Sequence, residues 1–123
     1  MGQMERINSV PRSTDWRGRN YRRFRLEFPV RLRFQRGSAT AEIEAVSKNL
    51  SVGGLLVRSA LSVPERTAVT FVLSVHGSQS LRPVHLIGEG EVVRVESEEP
   101  EGTFVMAVRC YAPVTELEEY LPV

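Results

Sequence analysis

The stretch Phe28-Pro-Val-Arg-Leu-Arg-Phe34 constrains the fold most. Phe28, Val30, Leu32 and Phe34 alternate with Pro29, Arg31 and Arg33, a period of two that suits a strand with one wet face and no helix. Pro29 stands at its start, where a missing N–H is tolerated. Gln35-Arg-Gly-Ser38 reads as a turn, and Ala41-Glu-Ile-Glu-Ala-Val46 alternates again. The segment from Ser47 to Gly54 is polar and glycine-containing and reads as a connection to a third strand, Leu55–Arg58. Pro64–Arg66 reads as a turn, followed by strands over Val69–Val75, Val84–Val95 and Phe104–Arg109. Gly88 and Gly90 predict a bend or bulge in the long fifth strand. The acidic run Glu96–Gly102 predicts a turn. Six strands with no helical pattern between them mean an all-β antiparallel domain, and closure into a small barrel would remove exposed edges.

The two ends differ from this middle. Residues 1–18 are polar, aperiodic and interrupted by Pro11, and predict a flexible tail in which Trp16 awaits a partner or packs back. Thr115-Glu-Leu-Glu118 has capping-box spacing, and Val114, Leu117 and Leu121 recur at helical intervals. A short C-terminal helix is expected over 114–121, with the barrel over 26–110 inside a domain at 19–123.

With 123 residues the chain can bury a real core as one domain. No apolar run approaches the ~18 residues that span a bilayer, so no membrane insertion is expected. The N-terminus lacks the apolar core of a secretory signal. Cys110 is the single cysteine, which fits a reducing compartment, and a cytoplasmic location is expected. Met106 and Val108 beside it predict a buried, unreactive thiol. Only two histidines are present, without metal-ligand spacing, phosphate-binding loop or nucleophile elbow. An enzyme, a metal site and a cofactor are therefore not expected.

Charge is distributed unevenly. Residues 1–37 hold ten arginines against Glu5, Asp15 and Glu27, a balance of +7, while the rest of the chain balances at −6. Lys48 is the only lysine among 16 basic residues. That bias favours planar, bidentate recognition of an anion over general solubility. Five of the arginines fall in Arg17-Gly-Arg-Asn-Tyr-Arg-Arg-Phe-Arg25. Taken alone, such a run reads as a solvated segment. Taken alone, Asn49-Leu-Ser-Val-Gly-Gly54 reads as a plain turn, although Asn and Ser can bond a ligand and glycine admits its close approach.

Together the two segments resemble the PilZ domain family, whose members bind cyclic di-GMP. The resemblance rests on Arg19-x-x-x-Arg23, Phe24-x-Leu26, the Pro29-Val-Arg-Leu32 strand and Asn49-x-Ser51-x-x-Gly54, and covers roughly residues 19–110. It implies a six-stranded, Greek-key-like barrel with a short C-terminal helix. It also implies that Arg19 and Arg23 grip phosphates and guanines while Asn49, Ser51 and Gly54 contact a guanine. Arg22, Arg25 and Gly53 are supporting candidates, Arg17 reads as solvated charge, and Tyr21 and Phe24 as packing residues. The family often carries Asp at the position of Asn49, whose amide also donates. Gly18 stands where family members vary along with ligand stoichiometry, which leaves one or two ligand molecules per chain open. The expected function is that of a cyclic di-GMP receptor whose arginine segment, mobile to about Arg25 without ligand, wraps the dinucleotide onto the barrel and alters the surface offered to a protein partner. The alternatives are a nucleotide-free adaptor of pilus or motility machinery, and a small nucleic-acid-binding barrel. The latter needs a platform of exposed aromatics, and Phe28, Phe34, Phe71 and Phe104 fall on expected core faces. No DNA or RNA partner is therefore expected.

Overall fold

A computed structural model of the chain describes residues 22–76 and 82–121. The expected tail, with Trp16, Arg17, Gly18, Arg19 and Tyr21, and most of the loop after His76 lie outside the described residues. Six strands follow in chain order: β1 Pro29–Arg36, β2 Ala39–Ser51, β3 Gly54–Ser59, β4 Ala68–Val75, β5 Val84–Glu98 and β6 Thr103–Cys110. They close into a barrel in the order β1-β2-β3-β6-β5-β4, with every neighbouring pair antiparallel. The run β4-β1-β2-β3 within that ring is the Greek-key order.

Alternation decides what lies inside. Val30, Leu32 and Phe34 of β1 point inward with Ile43, Ala45, Val57, Phe71, Leu73, Met106 and Val108, all buried. Phe28 packs on the core edge and Phe104 is half-buried. Cys110 packs against the same cluster, and burial pushes its thiol up to about 12, which keeps it protonated.

Three local expectations are corrected. First, β2 does not stop at Val46. It runs on to Ser51, so most of the expected connection is strand, and a bulge lies between Ser47 and Asn49. Second, the irregularity in β5 falls between Val92 and Arg94, away from the glycines. Gly88 instead makes room inside the barrel: a Cβ there would overlap the ring of Phe71, the fully buried residue facing it on β4. The strand also continues through Glu96 to Glu98, which shortens the expected acidic turn. Third, the C-terminal helix is 3-10, over Thr115–Tyr120, with Val114 at its N-cap and no side-chain cap, so the capping box does not form. Six residues are too few to offset the cost of nucleating an α-helix. Tertiary anchors hold this turn instead: Leu117 and Val114 are buried, and the Val114 N–H donates to the Val52 carbonyl at 2.8 Å. That bond ties the C-terminal turn to the β2–β3 connection.

Candidate functional site

Everything that positions the site follows from one extra residue. Along β2 the odd positions Ile43, Ala45 and Ser47 face inward, and strict alternation would send Asn49 inward and Leu50 out. The bulge at Lys48 reverses the phase. Leu50 enters the core at 1% exposure, and Asn49 comes to the outer wall, half-buried.

The same stretch of β2 receives the arginine segment. The Phe24 N–H donates to the Leu50 carbonyl and the Leu50 N–H to the Phe24 carbonyl, both at 2.8 Å, in an antiparallel bridge. Antiparallel register then sets Arg25 across from Asn49 and Arg23 across from Ser51. Further on, Ser47 fastens the segment a second time. Its N–H donates to the Phe28 carbonyl at 2.9 Å, its hydroxyl donates to the Leu26 carbonyl at 2.5 Å, and the hydroxyl accepts from the Phe28 N–H at 2.8 Å. Ser47 is fully buried, so this latch is dry. The expectation of a segment mobile to about Arg25 is thereby narrowed, because Phe24–Phe28 are already hydrogen-bonded to the barrel.

The expected site residues separate by role. Arg22, Arg23 and Arg25 are exposed. The Arg22 guanidinium lies 5.1 Å from the centre of the Phe24 ring, a cation–π contact that holds it beside the bridge. Ser51 is buried, and its hydroxyl accepts from the Gly53 N–H at 3.2 Å and reaches the Gly54 carbonyl at 3.4 Å. It therefore shapes the tight β2–β3 connection. The Gly53 carbonyl accepts from the Cys110 N–H at 3.0 Å, which pins that connection to the end of β6. Gly54 pairs with Ser51 on one side and Arg109 on the other. Arg19 lies outside the described residues.

Beside this edge the outer wall carries features that the sequence does not reveal. Asn49 pairs with Leu56, Leu56 with Ala107, and Ala107 with Arg94. Leu56 is half-buried and Ala107 only 5% exposed, which makes an apolar floor flanked by polar groups. Only the β3–β6 pairing brings these residues together.

Below the floor, Glu98 anchors the wall. It accepts from Arg58 Nε at 2.8 Å and Nη2 at 3.2 Å and from the Thr103 hydroxyl at 2.8 Å, with Lys48 Nζ 3.6 Å away. The Arg58 hydrogen bond first, then that of Thr103, hold its carboxyl down at about 2 from an ordinary 4.5. A carboxylate whose folded pKa is depressed stabilises above its unfolded pKa, and that contribution fades as pH falls through the folded value. Glu98→Gln should therefore destabilise the domain at neutral pH, and its difference from wild type should shrink between pH 4.5 and about 2. Urea melts across that range check this, and a difference independent of pH would refute it.

Among the described residues, no group of three or more His, Cys, Asp or Glu side chains could hold a metal ion. No helix among them is long and apolar enough to cross a membrane.

The described end of the arginine segment, Arg22–Arg25, thus meets β2 at Leu50 on one edge of a six-stranded barrel, and the sequence model of the PilZ domain family matches residues 17–121. The chain belongs to the PilZ domain family. No curated protein matches it by sequence. Among solved structures, the PilZ barrel is similar to that of the Bacillus subtilis inhibitor of motility MotI/DgrA, with a TM-score of 0.65 and 20% identity. The likeness covers 84% of this chain and 47% of that protein, so the chain spans about half of its length. At this identity the comparison establishes the fold. The family match spans both Arg19–Arg23 and Asn49–Gly54, and the Phe24–Leu50 bridge ties the chain just after Arg23 to β2.

Proposed function

We propose that this PilZ domain is a cyclic di-GMP receptor whose arginine segment clamps the dinucleotide against the edge formed by Asn49–Gly54. One observation carries the reading: the Phe24–Leu50 bridge sets Arg23 and Arg25 directly across from Ser51 and Asn49. A cyclic dinucleotide offers two phosphates and two purines, and guanidinium forks both chelate phosphate and stack on rings. In this reading Arg19 and Arg23 are the clamp. The Asn49 amide meets a guanine edge, and Gly54, buried at the start of β3, adds no Cβ beneath the ligand. Ser51 acts by shaping the connection, with Gly53 beside it. Arg22, held on Phe24, and Arg25 lend support.

Seating Phe24–Phe28 beforehand matters energetically. Ordering a residue costs about 1–2 kcal/mol, so those five residues would otherwise charge roughly 5–10 kcal/mol against binding. The ligand's effect is then a change in the surface shown by the arginine segment, which a protein partner in the cytoplasm reads. The domain works by binding and not by catalysis. Among the described strand aromatics, Phe34 and Phe71 are buried and Phe28 packs on the core, so these three do not supply the stacking platform that single-stranded nucleic acid needs. The second reading is a nucleotide-free adaptor of pilus or motility machinery, of which likeness in fold to an inhibitor of motility supports only the motility setting.

Calorimetry separates the two. The chain should release heat with cyclic di-GMP and none with cyclic di-AMP or GTP. Silence with cyclic di-GMP would overturn the receptor reading and favour the adaptor.

A further inference from the structure

Cross-strand pairing extends the second motif into a row. Ser51 lies beside Gly54, Gly54 beside Arg109, and Arg109 beside Glu91 on four successive strands; Ser51 and Gly54 are buried, while Arg109 and half-buried Glu91 come to the outer wall. With strands about 4.8 Å apart, the row is on the order of 14 Å long. The neighbouring row, from Asn49 over Leu56 and Ala107, is the apolar floor. At the far side Arg109 Nη2 donates to Glu91 Oε1 at 2.9 Å, and the two side chains are 47% and 23% exposed.

We propose that Arg109 is a further ligand-binding arginine of this wall and that Glu91 is its internal counter-ion, displaced by a phosphate of the ligand. The inference rests on the cyclic di-GMP reading and deepens it. A guanidinium fork donates to phosphate in the geometry in which it donates to carboxylate, so the two anions compete for the same donors. Ion pairs this exposed are weak, because water screens the attraction and holding two side chains costs entropy. A dinucleotide held at one end by Asn49 and Gly54 brings its phosphate along the row at high effective concentration. Glu91 then turns to solvent. Its presence sets the affinity, since every ligand must first take Arg109 from it.

The test has a sign that a merely structural pair would not produce. Wild type, Arg109→Gln, Glu91→Gln and the double variant are titrated with cyclic di-GMP by calorimetry, and their urea midpoints are recorded. Arg109→Gln should weaken binding roughly tenfold or more. Glu91→Gln should tighten it about threefold or more. In the Arg109→Gln background, Glu91→Gln should change nothing. If Arg109→Gln binds within about twofold of wild type, or Glu91→Gln weakens binding alongside it, the pair is only a strut between β5 and β6 and the inference falls. Wild type that binds while Arg109→Gln is unaffected removes this inference alone. Wild type that gives no heat removes the cyclic di-GMP reading and this inference with it.

Discussion

Joint replacement of Arg19 and Arg23 by alanine is expected to abolish cyclic di-GMP binding while leaving the barrel intact. A charge-assisted hydrogen bond contributes about 1.5–3 kcal/mol, so each arginine alone should account for roughly tenfold to over a hundredfold in affinity. Two such losses compound to a thousandfold or more if they act independently. Stability should change little. Arg23 is exposed on the far side of the bridge from the buried Leu50, and the core residues belong to other positions. Calorimetry at increasing ligand concentration measures the affinity, and a urea melt of the same variant measures the fold. Retained affinity with an unchanged melt would remove the arginines from the site. A collapsed melt would instead make Arg23 a structural residue.

The second large effect is expected at Ser47, a residue that touches no ligand in the proposed arrangement. Ser47→Ala deletes a hydroxyl that serves both the Leu26 carbonyl and the Phe28 N–H at a fully buried position. Each orphaned polar group costs about 1–3 kcal/mol, so a loss of roughly 2–6 kcal/mol is expected for the two, a large share of a typical domain's 5–15 kcal/mol. Ser47→Cys keeps the volume but replaces the hydroxyl by a poor hydrogen-bonding group, and should lose nearly as much. Agreement between the two separates the hydrogen bonds from the small cavity left by alanine. The consequence for function is indirect. Without the hydroxyl the segment bearing Arg23 and Arg25 keeps only the Phe24 bridge and the backbone bond from residue 47 to the Phe28 carbonyl, and the ligand must order what the hydroxyl now holds. Affinity should fall about tenfold or more, with faster amide exchange at Phe28 and Leu50. Unchanged exchange at those amides would show that the latch is dispensable.

Both predictions hinge on features of very different legibility. The arginine and asparagine motifs are local spacings and could be read directly from the chain. Ser47 could not. In sequence it opens a polar segment that looks like a connection, and only its burial against Leu26 and Phe28 reveals it as the fastening of the arginine segment. The bulge at Lys48 is similar. A period-two reading assigns faces correctly up to Ser47 and then fails, because an inserted residue flips every later side chain. Whether a bulge exists depends on pairing with β3 and with Phe24, neither of which is local. Gly88 and Gly90 gave a local signal for distortion in β5. The distortion lies instead at Val93, and Gly88 serves to leave room for the ring of Phe71, its partner on the adjacent strand β4.

What the sequence determined by itself is the set of strands, their inward faces except beyond the bulge in β2, the all-β class and the two motifs of the PilZ family. Those follow from interactions between residues close along the chain: alternation against a wet and a dry face, turn chemistry and short spacings of functional groups. Tertiary structure alone decided that Asn49 faces out while Ser51 turns into the β2–β3 connection, and that the last turn is 3-10 and lacks its capping box. It alone set Arg109 beside Gly54. The physical reason is that those outcomes depend on which strands become neighbours when the barrel closes. The β3–β6 pairing brings residues 54 and 109 into one rung, and nothing near either residue in the chain encodes the other.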